Sequence, residues 1–273
     1  MFRTLSKIVL ILLVFALAAG CDTNVKDEKV EGLNKIREKN EIKIAIDASD
    51  YPPFAIETPG GFVGFDIDIC YDIAKKMGVN VKFERVEFDK IIPLVDKGDY
   101  DLGVATFTIT AKRNTDVLFS QPYIVTGQAV ILDKKYKDSV FSYRDLNSTQ
   151  YKIAFAKGNT SELSLKKFMP ESRFYEVETV DDLVKAIIND EADAFIADMP
   201  YCSTLAAKDK GKHLYFIDQP ITFEPIGIVI NKDNFHLLNW INNYIRQIQS
   251  DGTYDEFYAK WFQNNDWIKY LNN

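Results

Sequence analysis

One short segment of the chain carries the residue types that bind a carboxylate. Within residues 105–113, Thr106 and Thr108 stand a few positions ahead of Arg113. A planar guanidinium offers paired N–H donors that match both oxygens of a carboxylate. Threonine hydroxyls and free backbone amides can add hydrogen bonds where a strand leads into a helix. The spacing therefore predicts a carboxylate clamp.

A second charged residue, Asp198, follows the apolar residues 194–197. Free amino acids carry a carboxylate and an ammonium on the same carbon, so a selective site needs a cation and an anion that face each other. In open α/β sheets, ligands bind beyond the carboxyl ends of strands, and Arg113 and Asp198 both follow such strands. We predict that they form this pair. The alternatives are a solvated helix residue for Arg113 and a helix cap for Asp198.

Strand-like and helix-like segments alternate twice along the chain. The first series has strands near 41–47, 79–83 and 102–105, with helices near 66–77 and 88–95. The second has strands near 151–155, 174–177 and 194–197, with helices near 160–168 and 180–189. This order predicts an α/β fold with two lobes, each a mostly parallel sheet flanked by helices. Asp66 is placed to cap the first helix, and Asp68 adds charge to its first turn.

The beginning of the chain has the pattern of an export signal. Arg3 and Lys7 precede an uncharged run over residues 8–20, and Cys21 follows at once. Residues 18–21, Ala-Ala-Gly-Cys, resemble the bacterial lipoprotein cleavage box. We therefore predict a signal peptide over 1–20, lipidation of Cys21 and a flexible polar tether over 21–32. The alternative is an ordinary signal peptide with an incidental cysteine.

The composition excludes several classes of function. The chain has 33 basic and 40 acidic residues, and the leader holds two of the basic ones, so the mature protein has a net charge of about −9. Such an acidic surface argues against binding nucleic acid and against binding anionic lipid beyond the anchor.

Cys70 and Cys202 are predicted to be packed free thiols, and no spacing predicts a metal site or a cofactor.

Several motifs in order resemble those of the periplasmic polar amino-acid-binding proteins that feed ATP-driven importers. They are Tyr-Pro-Pro-Phe at 51–54, Gly-Phe-Asp-Ile-Asp-Ile at 64–69, the clamp, Asp198 and the segment 251–262. The resemblance covers residues 34–263. It implies two crossings between the lobes, near 124–127 and 222–226. One lobe then comprises 33–126 and 223–273, the other 127–222, and the amphipathic segment 235–262 packs on the first lobe.

The resemblance also implies roles for individual residues. Tyr51 and Phe88 would sandwich the aliphatic part of the ligand, and Lys157 would contact its side chain. Thr160 and Ser161 would complete the carboxylate site, while their position also suits a helix cap. Binders of cationic amino acids often have an acidic residue where this chain has Ala48, and Lys157 would repel a cationic side chain. These features favour a neutral polar or acidic ligand.

The main hypothesis is a non-enzymatic, monomeric binding protein that closes over a free L-amino acid and delivers it to the permease of an ABC importer. It would lie outside the cytoplasm, anchored by lipid to the cell membrane. One alternative is an enzyme on the same scaffold, a dehydratase of cyclohexadienyl acids with Glu162 or Glu224 as its acid, which turnover of arogenate or prephenate would identify. Another is the sensing domain of a receptor, although no signalling segment follows in this sequence.

Overall fold

The structure, a computed structural model, describes residues 32–264 and 266–272. The predicted signal peptide, Cys21 and all but the last residue of the tether lie outside these residues. The first element is helix α1 (Leu33–Lys39), which begins where the sequence predicts the folded part to begin. Within the described residues, no helix has the length and apolar character needed to cross a membrane.

The first lobe is built on a five-stranded sheet with the spatial order β4, β1, β5, β14, β6. Its strands are β1 (Glu41–Asp47), β4 (Asn80–Val86), β5 (Leu102–Gly103), β6 (Val117–Phe119) and β14 (Val229–Asn231). Helices α2 (Phe65–Met77) and α3 (Phe88–Lys97) pack on it. The isoleucines of β1 are fully buried because this interior strand has covering elements on both faces. A short hairpin, β2 (Ile56–Thr58) and β3 (Gly61–Val63), precedes α2.

The second lobe repeats this plan with the spatial order β10, β9, β11, β8, β12. Its strands are β8 (Gln128–Asp133), β9 (Lys152–Ala156), β10 (Arg173–Val177), β11 (Ala194–Asp198) and β12 (Leu214–Ile217). Its helices are α4 (Ser161–Phe168), α5 (Asp181–Ile188) and α6 (Met199–Asp209). The two lobes and the alternation of strands and helices confirm the predicted α/β architecture.

Both sheets are mixed, so the prediction of mostly parallel sheets is wrong in this detail. In the first sheet β4, β1 and β5 are parallel, whereas β14 runs antiparallel to β5 and β6. In the second, β10, β9 and β11 are parallel, whereas β8 runs antiparallel to β11 and β12. The physical reason is connectivity: β8 and β14 each arrive from the other lobe and do not belong to a strand–helix–strand unit.

Two short strands connect the lobes. β7 (Ile124–Thr126) and β13 (Glu224–Ile226) pair with each other in an antiparallel ribbon, at the two predicted crossings. The predicted return strand over 226–230 is interrupted, because Gly227 and Ile228 separate β13 from β14. At the neighbouring crossing, a Cβ on Gly127 would lie 2.4 Å from the carbonyl oxygen of Thr222, so only glycine allows this approach. The limits of the lobes at 126/127 and 222/223 stay a prediction.

The C-terminal segment packs on the first lobe, as predicted. It comprises α7 (Phe235–Asp251) and α8 (Thr253–Tyr258), separated by Gly252 at φ 88°, and the short turns Ala259–Gln263 and Asp266–Asn272. The Tyr244 hydroxyl donates to the Ile69 carbonyl at 3.3 Å. The Trp261 indole donates to Asp68 at 2.6 Å. The first-turn charge at Asp68 therefore holds the C-terminal segment against α2.

Asp66 does not cap α2, contrary to prediction. The helix begins at Phe65 with Gly64 in the capping position, where no side chain bonds to the first turn. The fully buried Asp66 carboxylate instead accepts hydrogen bonds from the Tyr123 hydroxyl at 2.8 Å and the Thr106 amide at 3.3 Å. It connects three parts of the first lobe.

The thiols of Cys70 and Cys202 are buried and free, as predicted.

Candidate ligand-binding site

A cavity lined by residues of both lobes lies between them. All the ligand-binding residues predicted from the sequence line it, with the exception of Lys157. From the first lobe these are Tyr51, Phe88, Thr106, Thr108 and Arg113, and from the second Thr160, Ser161 and Asp198. The structure therefore brings together residues that are up to about 150 positions apart in the chain, such as Tyr51 and Asp198, separated by 147.

Lys157 lies outside this cavity and lines an adjoining one. Its ammonium is 3.1 Å from Glu178 and 3.9 Å from Asp89, two carboxylates at the opening between the lobes. The side chain is 44% exposed. Because its charge already has partners, Lys157 is poorly placed to contact the side chain of a ligand in the main cavity.

Arg113 is a half-buried cation with unused donors. Its Nη1 and Nη2 atoms donate to the carbonyls of Thr108 at 3.0 Å and Gly158 at 2.9 Å. Its guanidinium also lies 5.5 Å from the ring centre of Phe88 and 5.3 Å from that of Phe107. No carboxylate oxygen of the described residues is within 4.0 Å of it. Burial lowers its pKa to about 10, so it remains charged at neutral pH. It has donors left for an anion.

The loop before Arg113 is held in an unusual conformation. Thr106 has a φ of 49°, in the left-handed region that β-branched residues rarely adopt. Its amide donates to Asp66 and is therefore already engaged within the protein. Thr108 is buried and pairs with Ile226 of the connecting ribbon. Strain of this kind is common where a loop is fixed around a ligand.

Thr160 occupies the capping position of α4, but its side chain makes no capping bond, contrary to prediction. Its hydroxyl accepts a hydrogen bond from the Gln128 amide at 2.7 Å. It also lies 3.4 Å from the Thr108 hydroxyl and 3.5 Å from the Glu224 carboxylate. Thr160 therefore joins the second lobe to the first lobe and to the ribbon. Ser161, the first residue of α4, is buried beside it.

Asp198 ends β11 and stands before α6 without capping it, so the alternative role as a helix cap is not realised. Its buried carboxylate accepts a hydrogen bond from the Tyr51 hydroxyl at 3.0 Å, and no basic nitrogen of the described chain lies within 4.0 Å. Loss of solvent raises its pKa to about 7, an effect that Tyr51 partly opposes. Tyr51 also stacks on Tyr201 at 4.2 Å, so it contacts the second lobe directly.

Sequence reasoning missed three residues that line or border the cavity. Asp47 is the last residue of β1, and its position after an apolar run is the same signal that identified Asp198. Gln128, at the start of β8, is fully buried and carries the side chain that bonds to Thr160. Tyr201 has no signal in the sequence, because its contact with Tyr51 exists only when the two lobes meet.

These buried carboxylates predict that the ligand-free protein loses stability as pH rises from 4 to 7. Desolvation raises the pKa of Asp66 and of Asp198 to about 7, against about 3.9 in an unfolded chain. Between these values the folded state binds more protons, so its stabilisation is complete below pH 4 and is lost as pH rises through 7. Melting temperatures measured across this range should fall.

The variant Asp66→Asn should flatten this profile, whereas Asp138→Asn, at an exposed position, should leave it unchanged. A melting temperature that rises between pH 4 and 7 in the ligand-free protein would contradict the assignment.

The sequence matches a family model described as bacterial extracellular solute-binding proteins, family 3, over residues 42–264. The chain is 32% identical over 245 residues to the ABC transporter glutamine-binding protein GlnH of Bacillus subtilis, covering 88% of each chain.

Two solved structures are similar in sequence and fold. One is the ancestral amino acid-binding protein AncCDT-1, described as a precursor of cyclohexadienyl dehydratase, with 36% identity and a TM-score of 0.77 over 84% of this chain and 99% of that one. The other is a putative binding component of an ABC transporter from Wolinella succinogenes, complexed with lysine, with 31% identity and a TM-score of 0.79 over 85% and 99%. The chain belongs to the bacterial extracellular solute-binding proteins, family 3.

Proposed function

We propose that this protein is the extracytoplasmic binding component of an amino-acid ABC importer, which captures a free L-amino acid between its lobes and delivers it to the permease. The observation that carries this proposal is a pair of charges in one cavity, the half-buried Arg113 and the buried Asp198, each with no oppositely charged side chain within 4.0 Å in the described structure. Desolvated charges are costly unless they are paired. An α-amino acid supplies both missing partners.

The geometry supports a specific placement of the ligand. Its α-carboxylate would lie on the guanidinium of Arg113. The hydroxyls of Thr108 and Thr160, which are 3.4 Å apart and line the same cavity, would lie near this carboxylate. Its ammonium would lie against Asp198. Phe88, which lines the same cavity, would contact the aliphatic part. Thr106 and Ser161 complete the lining of the cavity. The Tyr51 hydroxyl is already bonded to Asp198, so Tyr51 would contact the ligand next to that carboxylate.

The similar proteins support an amino acid as the ligand, but they do not agree on the side chain of that amino acid. One is named for glutamine, and another was solved with lysine. The sequence favours a neutral polar or acidic ligand largely through Lys157. That argument loses its basis, because Lys157 is paired with Glu178 outside the main cavity.

We infer that the lobes close over the ligand. Contacts that join them across the cavity include Tyr51 with Asp198 at 3.0 Å, Arg113 with Gly158 at 2.9 Å, and Thr108 with Thr160 at 3.4 Å. In the described part of the chain, the backbone passes from one lobe to the other at the ribbon of β7 and β13, which can absorb a rotation. Ligand would favour the closed arrangement because the complete set of contacts exists only there.

Binding without chemical conversion is the function that fits best. Of the two acids that the sequence offers to a dehydratase, Glu162 is engaged with Lys166 on the exposed face of α4. Glu224 is buried in the ribbon, beside Thr160. The solved relative described as a dehydratase precursor is itself described as an amino acid-binding protein. We therefore place this chain with the binding proteins.

Replacing Arg113 by Ala is expected to weaken ligand binding by about 2–5 kcal/mol, because it leaves a desolvated carboxylate without its partner. Isothermal titration calorimetry with the amino acid that binds best measures this loss. Lys112→Ala is the matched control, since the neighbouring lysine is exposed and does not line the cavity. Equal affinity of the Arg113 variant and the wild type would remove Arg113 from the site.

Ligand is expected to reduce the radius of gyration of the wild-type protein in small-angle scattering. Asp198→Asn should show a smaller compaction at the same ligand concentration, because the amide keeps the shape of the side chain but loses its attraction for the ammonium. A wild-type protein that does not compact would contradict closure by this ligand, or would show that the free protein is already closed. The radius of the free protein separates these two outcomes.

We further propose that Cys21 is the lipidated first residue of the mature protein, which acts as a monomer at the outer face of the cell membrane. Cys21→Ser should release the protein into the soluble fraction or leave the precursor uncleaved, because the acyl chains supply a membrane affinity that the acidic body lacks. Intact-mass measurement of the native protein tests the assignment directly. A mass without added lipid would contradict it.

A further inference from the structure

Asp47 lies at the junction of two cavities. It lines the main cavity and also a second one, which continues between residues 87–90 of the first lobe and residues 156–159 and 178–180 of the second. Phe88, Asn159 and Val180 line both cavities as well. A ligand whose α-carbon groups lie at Arg113 and Asp198 can therefore extend its side chain past Phe88 toward Asp47.

The Asp47 carboxylate has no cationic partner. One oxygen accepts a hydrogen bond from the Ser49 amide at 3.1 Å, and no basic nitrogen in residues 32–264 and 266–272 lies within 4.0 Å. Arg85, a cation whose charge acts on the Asp47 carboxylate, is engaged by Asp50, by Glu57 and by the carbonyl of Ala48. Withdrawal from water raises the pKa of Asp47 to about 6, which still leaves it largely ionised at neutral pH.

The cations around the second cavity already have carboxylate partners. Lys157 is paired with Glu178 at 3.1 Å, and Lys90 with Asp89 at 3.3 Å. Neither is free to bind a carboxylate on a ligand side chain. An acidic ligand would bring a second negative charge to a region that has no unpaired cation among its described residues.

The charge balance of the whole site points the same way. Asp47, Asp66 and Asp198 line the main cavity, and Glu224 lies beside it at Thr160. Arg113 is the single basic residue among the described residues that line it. A neutral amino acid would cover the half-buried Asp47 carboxylate and leave it without a partner, whereas a cationic side chain would supply one.

We infer that the ligand is an L-amino acid with a basic side chain, whose aliphatic part lies along Phe88 and whose cationic end binds Asp47. This inference rests on the proposed function and names the chemical class of its ligand. Asp47 thus takes the role of a specificity residue, one position before Ala48, which occupies the place where binders of cationic amino acids often have an acidic residue.

Two pairs of matched ligands test the inference by calorimetry on the wild-type protein. Citrulline has the shape of arginine without its charge, and norleucine has the carbon chain of lysine without its ammonium. We expect arginine or lysine to bind at least about 100-fold more tightly than its uncharged counterpart, because the counterpart leaves the Asp47 carboxylate unpaired. Glutamate should bind more weakly still.

Asp47→Asn should lower the affinity for the basic ligand about 100-fold and change that for its uncharged counterpart by less than about threefold. Asp89→Asn is the matched control: it removes a carboxylate that also lines the second cavity but is already paired, so selectivity for the basic ligand should remain. Melting temperatures of both variants establish that they fold.

The outcomes separate the inference from the proposed function. Binding of glutamine, glutamate or citrulline as tightly as arginine and lysine would overturn the basic-ligand inference but leave an amino-acid-binding protein. An equal loss of all ligands in Asp47→Asn would overturn the role of Asp47 in specificity. A wild-type protein that binds no amino acid in the set would overturn the proposed function together with the inference.

Discussion

The structure depends on charges that face a shared space between the lobes without side-chain partners of opposite sign. Arg113, Asp198 and Asp47 lie in one continuous space between the lobes, and in the described structure none of them has an opposite side-chain charge within 4.0 Å. Each such charge raises the free energy of the empty protein. The same cost makes the site selective, because a ligand is favoured to the extent that it supplies the missing charges at the right positions.

The fold makes this arrangement possible by dividing the site between two similar lobes. Arg113 lies between β5 and β6 of the first sheet, and Asp198 ends β11 of the second. Neither lobe alone therefore presents both charges. Strands β8 and β14 enter each sheet from the opposite lobe and run antiparallel to their neighbours. Their starting points lie next to the connecting ribbon, and Gln128 and Glu224 there reach Thr160 of the site. The cavity and the connection between the lobes are therefore in physical contact.

Much of this could be predicted from the sequence, because apolar periodicity and residue type are local properties. The alternating strands and helices and the grouping of Arg113, Asp198 and Thr108 around one cavity follow from such patterns, whereas the packing of the C-terminal segment is implied by the resemblance to known binding proteins. What failed depends on partners distant in the chain. Asp66 has the right position for a cap, but Tyr123 and Thr106 bind it from the side. Lys157 has the right position in the sequence for a ligand contact, but its ammonium forms an ion pair with Glu178.

The close approach at Gly127 has a mechanical consequence. Because the backbone of one crossing touches Thr222 of the other, and β7 and β13 are hydrogen-bonded along their length, the two connections behave as one strip and not as two independent tethers. A single strip bends easily about one axis and resists shear and separation. For the closure proposed above, this strip would confine the lobes mainly to rotation about one axis, so that both walls of the cavity would come together in a single movement.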